Sequence, residues 1–478
     1  MAARSGSTRS SKSRKGRAPA PSHLDLGIDL GTTRTVVARA DRGNYPVLSF
    51  TDTNGDSHDY YPSLTALTED GLVHGFRARR AAREGAPLLR SLKRVLASPR
   101  VTPATTVELG GRTFTVLEIL TDYLRTLRTA VEASLGVSID RARVVVAVPA
   151  HAYGAQRVLT LQAFGDAGFP VVAMLNEPSA AGFEYTHRKS GTISSRKTRV
   201  VVYDLGGGTF DTSLVDVRGT SHDVLASRGL SDLGGDDVDL ILAQLVLERA
   251  GVAEESLSNT ERDDLLDQCC RAKESLSPQS RRILVELRGQ DVVLPVPDLY
   301  AATGPLIERS IQTVTPLIDR LDLTEVAGIY LVGGASAFPL VPRLLRERFG
   351  RRVHRSPYPG ASTAIGLAIA ADQNSGYDLT DRLSRGFGVF REAEGGARTT
   401  FDAILTQDSV QARVDGTEGT VIIRRYPAVH NIGWFRFVEC AGVDDRGEPR
   451  GELAPYQDVL FPFDPALREV EDLRDIPV

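Results

Sequence analysis

The chain has 478 residues, with 57 Lys and Arg against 61 Asp and Glu, for a formal net charge of −4. That length exceeds what one core usually serves, so several folding units are expected. The near-neutral body and single Trp argue against a polyanion binder or a base-stacking platform. The most apolar run, Val144 to Val148, is far too short to span a bilayer.

Positive charge gathers at the start, where Arg4, Arg9, Lys12, Arg14, Lys15 and Arg17 stand without an acid in a Ser-, Gly- and Pro-rich stretch. With no apolar run it reads as a disordered tail, residues 1–23, rather than a signal peptide. Leu24 to Leu30 and Thr35 to Arg39 predict a hairpin around Gly31-Thr32-Thr33. A polar, irregular stretch follows to about Pro87. Arg90 to Leu96 and Leu117 to Leu135 have helical spacing. Val144 to Val148, ending at Pro149, predicts a strand buried on both faces. A helix over Ala155–Phe164, a strand over Val171–Leu175 and a helix over Pro178–Tyr185 complete the first unit.

After a polar loop the opening pattern recurs. Val200 to Leu205 and Thr212 to Val217 are strands around Gly206-Gly207-Gly208-Thr209, so Asp29-Leu30-Gly31 and Asp204-Leu205-Gly206 are one device used twice. The repeat predicts a duplicated lobe. Helices are expected at Val238–Ala250, Glu261–Leu276, Leu306–Leu321, Pro339–Phe349 and Ala361–Ala371, with a strand at Gly328–Val332 before Gly333-Gly334. From Gly386 onward the patterns are short strands, at Val421–Tyr426, Trp434–Glu439 and Asp458–Phe461 among others. Cys269, Cys270 and Cys440 form neither a disulfide framework nor a zinc spacing, which makes reduced cytoplasm the expected compartment.

A glycine turn after a strand brings backbone N–H groups close to phosphate oxygens. An Asp at each turn suits hydrated Mg²⁺, and Thr32, Thr33 and Thr209 add hydroxyls. One such turn is most often only a hairpin. Two copies, with further Gly-Gly turns at Gly234-Gly235 and Gly333-Gly334, are hard to explain as punctuation.

Gly27-Ile28-Asp29-Leu30-Gly31-Thr32-Thr33, Asp204 to Thr212 and Leu331-Val332-Gly333-Gly334-Ala335-Ser336 resemble the two phosphate motifs and the adenosine motif of the 70-kDa heat-shock (DnaK-type) chaperones. Val148-Pro149-Ala150, Ala155-Gln156-Arg157 and Asn176 to Ala181 resemble their connecting segment. Order and spacing agree from about Leu24 to Ala371.

The resemblance implies an α/β fold. It consists of an actin-like, duplicated two-lobe ATPase domain over 24–372 (lobe I 24–198, lobe II 199–372), a linker over 373–385 and a small mainly-β domain over 386–478. It implies ATP or ADP with Mg²⁺, and K⁺ as a further ion. Asp29 and Asp204 would hold the metal through water. Gly31, Thr32, Thr33, Gly206, Gly207, Gly208, Thr209 and Gly235 would bind phosphate. Lys273, Ser277, Gly333 and Gly334 would bind the nucleoside. Glu177 and Asp211 would orient the attacking water, and Lys93 would steady the γ-phosphate. Read without the family, Lys93 is a surface helix lysine, Glu177 a helix-start acid and Asp211 a turn residue.

The pattern breaks in three places. Cys270, Ala337 and Gly360 stand where the family has a Glu, a stacking Arg and an acid. Tyr377 to Ser384 carries only scattered leucines, so the linker is expected to have little to dock. After Gly386 the chain resembles the family poorly and shows no long helical run for a lid. The expected function is an ATP-hydrolysing, chaperone-like protein acting slowly on unfolded client segments, with co-chaperones and without membrane or nucleic-acid partners. The competing reading is a nucleotide-dependent switch or scaffold with a repurposed C-terminal unit. A small-molecule kinase fits less well, since no substrate-pocket insertion is present, and an actin-like filament protein fits less well because of the appended β unit and the heat-shock form of the motifs.

Overall fold

The computed structural model describes residues 24–189, 191, 193–319, 324–381, 383–394, 398–406, 409, 422–426, 428, 430–470, 472–474 and 476. The basic leader lies outside them.

Two sheets repeat one plan. In the first, Val171–Asn176, Arg143–Val148 and Asp25–Leu30 run parallel, and Arg34–Arg39 then Tyr61–Pro62 continue antiparallel. In the second, Val353–Arg355, Val326–Val332 and Arg199–Leu205 run parallel, followed by the antiparallel Phe210–Arg218 and Ser221–Leu230. The strand at each sheet's centre carries the repeated Asp-Leu-Gly, so both aspartates emerge at equivalent strand ends.

Continuous apolar runs make these strands, because both faces are covered. Val144 and Val146 face a core with Leu26, Ile28 and the helix Val116–Leu135. Val145 and Ala147 face the opposite way, into a core shared with Val200 and Val202 of the second sheet. That shared layer is filled by two helices, Glu177–Lys189 and Ser362–Ala371, whose Ala180, Ala181, Ala364 and Ala368 permit close packing. Outside the second sheet, Gly235–Ala250, Asn259–Glu274 and Val296–Ile318 pack with the hairpin Arg282–Leu287 and Gln290–Pro295. Among the described residues, no helix is long and apolar enough to cross a membrane.

Three expectations need correction. The stretch to Pro87 is not irregular throughout. It holds the strands Thr65–Thr68 and Gly71–His74 and the helix Gly75–Arg83, too short to show a clear period in the sequence. Of the strand expected at Val421–Tyr426, Val421 lies outside the described residues and 422–426 take no regular structure. The linker does dock. Asp378–Thr380 adds as a parallel strand beside Ser221–Asp223, and Leu379 is buried in the shared core. Main-chain hydrogen bonding supplies the docking, so few apolar side chains are needed.

After the linker, Arg398–Leu405, Gly386–Ala393, Ile432–Val443 and Pro449–Pro462 form, in that order, a four-stranded antiparallel sheet.

Candidate functional site

The two hairpin turns face each other across a cavity of about 420 Å³ between the lobes. Its wall takes in Asp29, Gly31, Thr32, Thr33, Lys93, Glu177, Asp204, Gly206, Gly207, Thr209, Gly235, Lys273, Gly333 and Gly334. Three predicted site residues stand outside that wall. Gly208 packs on Thr32 and Arg94, Ser277 bonds Ser280 beyond its helix, and Asp211 lies behind the surface, 1 % exposed.

The turns are braced by backbone bonds. Gly206 N–H donates to Thr209 O at 3.0 Å, and Gly235 and Asp236 N–H donate to Gly206 and Gly207 O at 2.9 and 2.7 Å. Gly333 is a glycine for two reasons. Its φ is +80°, and a Cβ there would lie 2.4 Å from Asp204 Oδ1.

Lys93 sits on the short helix Leu92–Leu96 and forms a buried ion pair with Glu177, the first residue of its helix. Asp204 and Asp211 are directly opposite on adjacent antiparallel strands. Like charges so placed repel, and burial in water-poor surroundings adds to that cost. Burial, then Glu177, Asp29 and Asp211, push the Asp204 carboxyl well above its ordinary value. Burial raises Asp29 while Lys93 opposes the rise. Burial likewise carries Glu177 up to about 7 against the pull of Lys93. Such clustering of perturbed carboxyls in a cleft marks a functional site.

Asp211 reaches backward. Its Oδ1 accepts from Ala150 N–H at 2.8 Å and is 2.9 Å from His151 Nδ1, while Oδ2 is buried without a protein partner. Burial opposes the charge on His151, but Asp211 and Glu177 together hold the imidazole above its ordinary value.

Further polar residues of the site carried no signal in the sequence reading. Ser91, at φ +55°, starts the Lys93 helix in a left-handed conformation uncommon outside glycine, and its hydroxyl bonds Asp236 at 2.8 Å across the cleft. On either side Arg90 pairs with Asp263 and Asp267, at 3.0 and 2.8 Å, and Arg94 pairs with Asp237 at 2.6 Å. Arg34 pairs with Glu274 at 2.7 Å. Lys273, which the sequence did single out, is held by Gly235 O and Asp239, both at 2.8 Å. The acidic partners of Ser91, Arg90, Arg94 and Arg34 are distant in sequence, 143 to 240 positions away.

The donor set fits a divalent cation carried in with phosphate. Asp29, Glu177, Asp204 and Asp211 bring four carboxyls around the single ammonium of Lys93, and burial together with these neighbours raises the Asp204 carboxyl. Among the described residues no three His, Cys, Asp or Glu side chains converge to ligate an ion themselves. A Mg²⁺ here would therefore keep most of its waters, as that ion prefers.

Comparison with known proteins bears on the chain as a whole. The family model described as Hsp70 protein matches residues 25–384. The chain belongs to the Hsp70 family. Among curated relatives, this Hsp70-family chain is 35% identical to the chaperone protein HscA homolog of Laribacter hongkongensis (strain HLHK9), over 75% of this chain and 60% of that protein. It is 32% identical to the chaperone protein HscA of Enterobacter sp. (strain 638), over 74% of this chain and 59% of the relative. Against HscA of Serratia proteamaculans (strain 568) the identity is 33%, with the same coverage. The Hsp70-family chain thus spans about 60% of the length of these relatives.

Proposed function

We propose that the chain binds Mg²⁺–ATP between its lobes, hydrolyses it slowly, and uses the nucleotide state to act on segments of client proteins, as a chaperone-like ATPase. The observation carrying this reading is the buried Lys93–Glu177 pair set between two glycine turns and two facing aspartates. Phosphoryl transfer demands mainly positioning and charge aimed at the transferring group. In this reading Gly31, Thr32, Thr33, Gly206, Gly207, Gly208, Thr209 and Gly235 cradle the phosphates. Lys273, Ser277, Gly333 and Gly334 surround the nucleoside. Lys93 places its ammonium at the γ-phosphate. Glu177 and Asp211 orient the attacking water. Asp29 and Asp204 hold the metal through water, with K⁺ as a second ion beside the acids. Mg²⁺ would neutralise charge on the phosphate oxygens.

The family's relatives named chaperones support the client half of the reading. The C-terminal sheet supports it too, since its contacts run to the segment that holds Asp211. From the sheet, Glu452 accepts from Tyr153 at 2.5 Å; from the linker before it, Arg385 lies 4.0 Å over the Tyr153 ring and Asp381 accepts from Asn176 at 2.8 Å. The same contacts favour a second reading, a nucleotide-dependent switch with little turnover that docks a protein partner. Measuring single-turnover hydrolysis with and without an extended apolar peptide separates them. The chaperone-like reading expects phosphate release that peptide changes; the switch reading expects tight nucleotide binding with no peptide effect.

A further inference from the structure

Asp211 stands in register between Asp204 on one neighbouring strand and Gly229 on the other. Two donors hold the same oxygen of its buried carboxylate. Ala150 N–H reaches Oδ1 at 2.8 Å, and His151 Nδ1 lies 2.9 Å from it. Oδ2 is buried with no protein partner among the described residues. A buried carboxylate oxygen calls for a donor, and a water O–H is one.

The fold makes room for the imidazole. Gly229 leaves the space that the ring fills, since a Cβ there would lie 2.1 Å from His151 Nδ1 and 2.8 Å from Cε1 and Cγ. His151 follows the first-sheet strand Arg143–Val148, whereas Asp211 and Gly229 belong to the second sheet, so the bond joins the two lobes. Nδ1 donates whether or not Nε2 carries a second proton. The bond therefore needs only the tautomer that Asp211 itself selects.

We propose, resting on the hydrolysis reading above, that His151 is a positioning residue for ATP hydrolysis. Seated over Gly229, it fixes the rotation of the Asp211 carboxylate and so presents Oδ2 to the attacking water. The carboxylate torsion of an aspartate is soft, so a group held by Ala150 alone can pivot about that one bond. Small misplacements at a reacting centre cost rate steeply. Affinity is a separate matter, because His151 is not part of the cavity wall.

The test compares the whole parent chain with His151→Phe, His151→Asn, Gly229→Ala and the double variant of His151→Phe with Gly229→Ala. Calorimetry reads Mg²⁺–ADP affinity, and single-turnover hydrolysis is measured with ATP saturating. His151→Phe and Gly229→Ala should each slow hydrolysis by about ten- to a hundredfold, with affinity within about threefold of the parent. His151→Asn offers an amide N–H in place of Nδ1–H, so its rate should stay within about threefold of the parent. The double variant should be no slower than the slower single one, because both changes remove one bond. Without nucleotide, nitrogen NMR of the imidazoles should show a slowly exchanging proton on His151 Nδ1 that Asp211→Ala loses. Gly229→Ala and this spectrum decide the matter should His151→Phe not fold. Full-rate hydrolysis by His151→Phe or Gly229→Ala, losses that multiply in the double variant, an Asn variant as slow as the Phe variant, or an Nδ1 without a proton would each overturn the proposal while leaving the cleft an ATPase site. A parent that leaves bound ATP intact would overturn the hydrolysis reading itself, and the positioning role with it.

Discussion

Gly154 N–H donates to Glu439 Oε1 at 2.7 Å, so a carboxylate of the C-terminal sheet caps a helix of the first lobe. The helix Gly154–Asp166 has no side-chain cap from Tyr153, and its first N–H groups need an acceptor. Negative charge there is also favoured by the helix dipole. Arg385, 3.6 Å from Glu439, completes the contact. Three residues before the helix stands His151, which holds Asp211. The C-terminal sheet and the acid cluster are therefore joined through one short segment.

A side chain at position 154 would displace the Glu439 carboxylate, because a Cβ would lie 2.3 Å from Glu439 Oε1 and 3.2 Å from the Tyr456 ring. Gly154→Ala should detach the sheet from the lobe, and Glu439→Ala should do so with a loss of about 1 kcal/mol of helix capping. Hydrogen exchange should then rise at 153–157 and at 378–380. Unchanged protection in both variants would mean that this contact does not hold the sheet.

Lys93→Ala should lower single-turnover hydrolysis by about a hundredfold or more, since one preorganised charge at the reacting group is worth that much. Nucleotide affinity should change little. Because Glu177 would lose its buried partner, the ligand-free variant should also be less stable, by up to about 3–5 kcal/mol. Comparing hydrolysis rates with calorimetric affinities checks both halves.

Asp204→Asn should separate stability from function. Removing one of the facing carboxylates relieves repulsion from Glu177, Asp29 and Asp211, so the ligand-free melting temperature should rise by about 2–4 °C. The extra stabilisation that Mg²⁺ gives to the nucleotide complex should vanish. Thermal melts with nucleotide plus and minus Mg²⁺ read both effects.

His222 predicts a pH effect at the linker. It is buried between Phe183 and Tyr377, bonded to Thr186 at 2.9 Å, and paired in register with Leu379. Burial lowers its pKa from 6.5 to about 3. The unfolded or undocked chain therefore binds the proton first. Full stability is present above 6.5 and is lost as pH falls through the window from 6.5 to about 3. One pH unit below 6.5 the loss is about 1.4 kcal/mol. Denaturant melts over that range should show this slope, and His222→Phe should flatten it.

The repeated Asp-Leu-Gly turns were legible because backbone geometry and local apolar runs encode them. Val144–Val148 could be read for the same reason, since burial on both faces leaves no alternation to interpret. The cross-cleft partners were not legible. Arg34 and Glu274 lie 240 positions apart, and Gly154 and Glu439 lie 285 apart. Nothing local in the chain records such pairings. Linker docking escaped because a three-residue strand is held mainly by main-chain bonds, which every residue but proline supplies. Leu379 and Tyr377, the latter packed on Phe183 and His222, are the apolar side chains that accompany it.

The central claim is tested most directly by single-turnover hydrolysis of γ-labelled ATP, with Mg²⁺, by the parent chain and Lys93→Ala side by side. The account predicts slow, single-exponential phosphate release by the parent. In the variant, bound nucleotide should persist while release falls by about a hundredfold. Bound ATP that the parent leaves intact, or equal release by both proteins, would contradict it.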